Sequence, residues 1–201
     1  MPPKPCRRGA EMSSSRVSPC VRSESARFQL TRVSSAEQLE VATRLRERAF
    51  RERRGIHFDQ SLEAGRDREG HVFTLLDRGT PIAVGRVLPY PSRLSPLVDL
   101  SRVAGAYGAD SEIGRVACVA SSDVPQSALL LLTLGSQWLL EHTRLRRYVA
   151  YCHPRLLRLY AKLGAVPGQA IRVPERADPY CIISGTYQDA ACLGLRRLGA
   201  S

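Results

Sequence analysis

The sequence predicts an α/β fold with a β-hairpin towards each end and a strand–helix–strand–helix unit between them. Three observations carry this. "HVFTLLD", "RGT" and "PIAVGRVLP" form two apolar runs around a short glycine-containing turn, the pattern of a hairpin. "SEIGRVACVA" is followed by a leucine-rich helical stretch and then by "RRYVAYC", a second strand. "AIRVPERADPYCIISGTYQ" reads as two further strands joined by a turn.

Taken in order, residues 1–26 are rich in Pro, Ser and Arg and lack periodicity, so a disordered tail is expected. "RFQLTRV", residues 27–33, opens the ordered domain as a short strand. Ser34 with Glu37, and Ser35 with Gln38, both fit a capping box. Leu39, Ala42, Leu45 and Ala49 then follow helical spacing, which predicts a helix over about 36–53. Residues 55–70 are Gly-, Asp- and Arg-rich and read as a loop with at most a helical turn. After the hairpin, "YPSRLSPLVDLSRVAGAYGAD" is broken by prolines and glycines and reads as a connection holding a short helix.

The helix over about 126–142 is apolar almost all round, so it must be buried on more than one side. "HPRLLRLYAKLG" has Pro154 in its first turn and Gly164 at its stop, the asymmetry expected of a helix. Residues 191–201 are small and weakly patterned and read as a C-terminal tail, leaving one domain over 27–190.

The chain has 201 residues, 43% of them hydrophobic, enough for a real core. The formal net charge is +11, and of the 30 basic residues only Lys4 and Lys162 are lysines. Such a surface favours an acidic partner, nucleic acid or anionic lipid and says nothing about fold. Aromatic residues make up only 6%, which offers no platform for stacking bases, so nucleic acid is not the expected partner. None of the six cysteines forms a C-x-x-C pair, so no metal site is expected; Cys118 and Cys152 read as small core residues. No membrane span and no secretory signal are found, and a cytoplasmic location is expected.

Two strings of the form acid-x-x-Arg-Val-Ala occur, "DLSRVAGA" from Asp99 and "EIGRVACV" from Glu112. The first lies in the broken connection. The second leads straight into the strand–helix unit and is the site candidate.

Arg46-x-x-x-Phe50, Glu112-Ile-Gly-Arg115 and "CHPRLLRLYAKLG" occur in that order, spread along the chain from the first helix to the third. In element order and in these motifs the chain, over roughly 36–187, resembles the GNAT superfamily of acyltransferases. Within it, the chain is most similar to N-acyl amino acid synthases and autoinducer (N-acyl homoserine lactone) synthases. The resemblance implies a mixed, mostly antiparallel twisted sheet with helices on both faces. Gly114 stands where those synthases usually have serine. The acidic pattern of the autoinducer synthases is not matched either: only "HFD" at 57–59 is present, with Glu63 and Asp67 out of pattern.

The resemblance implies a bulge at Glu112–Arg115, with backbone N–H groups of Val116, Ala117, Cys118 and Val119 facing a thioester carbonyl. It makes Glu112 the candidate base and Tyr160 the candidate acid for the leaving thiolate. Arg46, Phe50, Arg86, Arg115 and His153 become candidate substrate-binding residues. Each has a plainer alternative. Glu112 could instead pair with Arg86 or Arg46 and only hold them in place. Tyr160 and Phe50 could be packing residues, although Phe50 and the leucine-rich helix could also line an acyl chain. His153 could simply cap its helix.

Coenzyme A-dependent enzymes of this superfamily carry a glycine-rich pyrophosphate loop where this chain has "ASSDVPQSALL", without glycine and with Asp123. The expected donor is therefore an acyl chain on the phosphopantetheine arm of acyl carrier protein, with acyl-coenzyme A as a possible donor and no tightly bound cofactor. Carrier proteins are acidic. Arg44–Arg54, with six arginines and two glutamates, and "TRLRR" with Arg155 and Arg158 supply basic surface. The function expected is transfer of a medium- or long-chain acyl group to the amine of an amino acid or derivative. The alternatives are acetylation of a small amine from acetyl-coenzyme A and a catalytically silent basic binding module.

Overall fold

A computed structural model describes residues 20–22, 27–52, 60–91, 100–119, 124–173 and 177–199. Eight strands form one sheet in the order β1-β2-β3-β4-β5-β6-β8-β7. They are β1 (Cys20–Arg22), β2 (Phe28–Arg32), β3 (His71–Asp77), β4 (Thr80–Pro89), β5 (Ser111–Cys118), β6 (Arg147–Cys152), β7 (Val166–Ile171) and β8 (Tyr180–Thr186). Every neighbouring pair is antiparallel except β5 and β6, which run parallel. That single parallel pair needs a crossover, and the long helix α4 (Val124–His142) supplies it.

Helices α1 (Ala36–Glu47), α2 (Gln60–Glu69) and α3 (Ser101–Ala104) share one side of the chain's order, before β5; α4, α5 (Leu157–Ala161) and α6 (Tyr187–Leu198) come after it. α1 begins on the expected capping box: Ser35 accepts from the Gln38 N–H while Gln38 reaches back to the Ser35 N–H. It ends in a π-helical turn, Arg48–Glu52. The β3–β4 hairpin turns at Arg78 and Gly79, with φ of 50° and 83°, the left-handed pair that matches strand twist.

Among the described residues three buried clusters form the core, one of them Leu100, Ala104, Val149 and Ile182, and the other two lie on opposite faces of the sheet. Val72, Val84 and Ala117 meet Ala42, Leu45 and Phe50 from the α1 side. Phe73, Ala83, Val87, Ile113 and Cys118 meet the leucines of α4 on the other. Among the described residues no helix is long and apolar enough to cross a membrane.

Three expectations are corrected. Residues 60–69, read as loop, form α2, because its inward face is charged: Glu63, Arg66 and Asp67 are buried, so no apolar stripe announces it. The expected C-terminal tail from 191 is the body of α6. Thr186 caps it by accepting the Asp189 N–H at 2.9 Å, and its inner face is Tyr187, Ala190, Ala191 and Gly194, mostly too small to register as hydrophobic. β1 falls inside the segment expected to be disordered and pairs with β2; the rest of residues 1–26 lies outside the described residues.

Candidate functional site

β4 and β5 bring charges inward because of one irregularity. Ala83 pairs with Cys118 and Val84 with Ala117, but Arg86 pairs with Gly114, so Arg115 and Val116 together oppose Gly85. This is a β-bulge, and Arg115 takes φ of 56° within it. In a regular strand Glu112 and Arg115 would face opposite ways. The extra residue returns Arg115 to the face of Glu112, where it meets α2, and turns Val116 to the α4 face. The bulge inferred from the resemblance is present.

On the α2 face, Arg46 of α1 forms a two-pronged pair with Asp67, Nη1 to Oδ1 at 2.8 Å and Nη2 to Oδ2. Arg86 donates to Glu63 Oε2 at 2.8 Å and to Asp67 Oδ1 at 3.1 Å. Arg115 donates to Glu63 Oε1 from Nε at 3.0 Å and from Nη2 at 2.6 Å, and its guanidinium lies 5.5 Å from the Phe50 ring centre. Arg66 reaches Glu63 more loosely, at 3.5 Å. The acids that hold the arginines are thus Glu63 and Asp67, the two residues that stood out of pattern in the sequence.

Glu112 does something else. Among the described residues no arginine lies within ion-pairing distance of its carboxylate, so the expected pairing with Arg86 or Arg46 is not made. Its Oε2 accepts a hydrogen bond from the Tyr90 hydroxyl at 3.0 Å. Burial pushes the Glu112 carboxyl above its ordinary value; Tyr90 and the more distant Arg86, Arg66 and Arg115 only partly offset this. Burial acts on Glu63 in the same direction, but there Arg86 and Arg115 outweigh it and the carboxyl is held below its ordinary value. Two carboxylates over one arginine cluster are therefore driven apart: Glu63 stays ionised as a counter-charge, and Glu112 is the better proton acceptor.

β5 and β6 are paired only at Ser111–Tyr148 and Glu112–Val149, although β5 runs on to Cys118 and β6 to Cys152. Just past Glu112 the two strands part, and the four candidate backbone donors lie along the parted stretch. The Val119 N–H donates to Ile82 O at 2.9 Å, so it is turned to β4. By the alternation of the ladder Ala117 faces β4 as well, while the N–H of Cys118 is turned to the parted side.

Against the bulge of β4 and β5, on the α4 face, lies a small apolar pocket, open at its mouth, whose interior is about 20 Å³, room for little more than one water. Gly85, Val116, Leu131, Leu132, Gly135 and Leu139 line it. Phe50 does not: it is buried on the opposite face beneath Arg115 and packs with α1. Tyr160 is half-buried against the main core. His153 caps its helix, Nδ1 accepting from the Arg155 N–H at 3.2 Å, while Nε2 lies 3.2 Å from Asp178. Both ring nitrogens are engaged, which leaves the capping role. The neighbouring Cys152 is buried, and burial together with Cys181 pushes its thiol up to about 11, away from a nucleophile's range. The segments "HFD" at 57–59 and 120–123 lie outside the described residues.

Sequence reasoning thus found Arg46, Arg86, Glu112 and Arg115, which the fold brings together with Glu63, Asp67, Arg66 and Tyr90. The first three of these missed residues had one usable signal: spacing of three and four along a segment too polar to be scored as helix. Tyr90, at the end of β4, had none.

No family model and no curated protein sequence matches the chain. Solved structures do. The N-acyl amino acid synthase FeeM from uncultured soil microbes superposes with a TM-score of 0.68 at 15% identity, over 82% of this chain and 93% of that one. A CoA-dependent acyl-homoserine lactone synthase, BjaI, with SAM and isopentyl-CoA gives 0.60 at 18% identity, over 80% and 82%. The ribosomal-protein-S18-alanine N-acetyltransferase from Escherichia coli gives 0.57 at 11% identity, over 80% and 94%. The fold is that of the GNAT acyltransferases.

Proposed function

We propose that the chain is an N-acyltransferase that moves a medium- or long-chain acyl group from acyl carrier protein to the amine of an amino acid or derivative. The observation that carries this is the two-sidedness of the opening between β5 and β6. A proton acceptor, Glu112, stands at its base on the α2 face, and an apolar cavity lies on the α4 face. The thioester crosses the opening with its chain directed to the α4 face, where the leucines of α4 part to admit it, and the amine approaches from the charged side.

The amine nitrogen forms the bond to the thioester carbon, and its proton passes to Glu112, directly or through a water. The carbonyl oxygen takes up negative charge against backbone N–H groups of the stretch Val116–Val119. The C–S bond then breaks, and Tyr160 donates a proton to the departing thiolate. Arg46, Arg86 and Arg115, anchored by Glu63 and Asp67, hold the acceptor side of the opening in shape. The exposed Arg155, Arg158 and Lys162 on and beside α5 offer an acidic carrier protein a docking surface.

The test is expression in a bacterial host with mass spectrometry of lipid extracts, beside a Glu112→Ala control. New N-acyl amino acids that vanish in the control support the reading. Extracts without new acylated product, together with turnover of acetyl-coenzyme A in vitro, would replace it with a small-amine acetyltransferase. Turnover of long-chain acyl-coenzyme A but not of acyl carrier protein would keep the reaction and change the donor.

A further inference from the structure

The hydrogen bond between Tyr90 and Glu112 joins a residue that no motif marks to the one on which the proposed chemistry turns. Tyr90 follows β4 directly, and its backbone N–H is fixed to Asp110 O at 2.8 Å. Its side chain packs against the buried cluster of Leu100, Ala104, Val149 and Ile182, so the hydroxyl is carried on a packed stem. From there it donates to Glu112 Oε2 at 3.0 Å. The other groups facing this carboxylate are cations at longer range: Arg86 on β4, Arg66 on α2 and Arg115 on β5 itself. Tyr90 therefore makes the hydrogen bond that gives the carboxylate one orientation.

We propose that Tyr90 is a positioning residue for Glu112: its hydroxyl fixes the carboxylate and keeps it ionised, ready to receive the proton of the attacking amine. A hydrogen bond donated to a carboxylate favours the charged form. Burial already outweighs that bond, and removing Tyr90's hydroxyl leaves burial less opposed. The proposal rests on the reading of Glu112 as proton acceptor.

Gly114 provides an internal rescue. A Cβ built there would lie 3.6 Å from Glu112 Oε1, an ordinary contact, so a serine hydroxyl at 114 falls within hydrogen-bonding reach of the same carboxylate. One carboxylate can accept from either position.

The experiment is a carbon-13 NMR titration of side-chain carboxyls in the full chain labelled on glutamate, with the Glu112 signal assigned by its loss in Glu112→Gln. In Tyr90→Phe the Glu112 midpoint should rise by about one pH unit. In Tyr90→Phe with Gly114→Ser it should return towards the wild-type value. The acid limb of the rate–pH profile should move in parallel. An unchanged midpoint in Tyr90→Phe, or a rise that Gly114→Ser does not reverse, overturns the proposal. If Tyr90→Phe does not fold, 3-fluorotyrosine at position 90, a stronger donor, should lower the midpoint, and no displacement there overturns it equally. The titration needs no substrate. A wild-type chain that acylates nothing would defeat the proposed function while leaving the displacement of the Glu112 midpoint to be judged alone.

Discussion

Glu63, which is buried, and Glu112, which is partly buried, both face arginines, and they should respond oppositely to the same substitution. Glu63 is the shared partner of Arg86 and Arg115. Glu63→Gln leaves those guanidinium groups buried without their counter-charge, which should cost about 3–5 kcal/mol in denaturant unfolding. Glu112 is held in a place where burial disfavours its charge, so Glu112→Gln should leave stability unchanged or slightly raised at neutral pH while activity falls about 10²–10⁴-fold. The pH dependence separates them further. Glu63 is lowered from 4.5 on folding, so its contribution is present above that value and is lost as pH falls through the folded one. Glu112 is raised from 4.5, so its contribution is present below that value and is lost as pH rises through the folded one. The stability of Glu112→Gln relative to wild type should accordingly improve as pH rises above the ordinary glutamate range; a constant difference across pH 4–8 would contradict this. Which glutamate does which could not be read from the sequence, because Glu63 sits in a helix that hydrophobic periodicity does not detect.

At the scale of elements, most strands were legible because alternation of side chains is a strong local signal: β3, β4, β5, β6 and β8 form where it predicts, whereas β7, exposed along most of its length, starts at Val166, four residues before the strand read from the sequence. The elements that escaped, α2 and α6, are those whose buried faces are charged or small. α6 shows why small residues matter. A Cβ at Gly194 would stand 1.9 Å from Thr133 Oγ1 of α4, a hydroxyl already committed to Leu129 O at 2.7 Å. Gly194→Ala should therefore push the two helices apart and cost about 1–3 kcal/mol, despite alanine's higher helix propensity; a rise in melting temperature would refute this close packing. Gly135, in the same helix α4, is the contrasting case. A Cβ there would meet Phe73 at an ordinary 3.8 Å, and the residue lines the cavity. Gly135→Ala should fold and should shift the acyl products to shorter chains, read directly from their mass spectrum; an unchanged chain-length distribution would place the acyl group elsewhere.

For the whole molecule, the sequence carries a net charge of +11, and what that charge meets decides the donor. The order of elements, and with it the GNAT fold, was legible because the central strands and the long central helix announce themselves locally. The donor was not, because a docking face is assembled from separate segments. Here Arg155 and Arg158 follow β6, the strand that forms one wall of the opening, so charge on this face stands beside the proposed path of the thioester. An acidic carrier protein would feel this face over a Debye length of about 10 Å at 0.1 M salt, shrinking to about 3 Å at 1 M. Arg155→Glu with Arg158→Glu should therefore raise KM for acyl carrier protein about tenfold or more at low salt, with little change in kcat and a smaller effect at high salt. Both side chains are exposed, so the fold should be unaffected. The small thioester N-acetylcysteamine, which carries the acyl group without the protein, should be turned over equally by the variant and the wild type. Equal loss with both donors would mean that these arginines act on the opening itself. No loss with either would remove the carrier protein from this face.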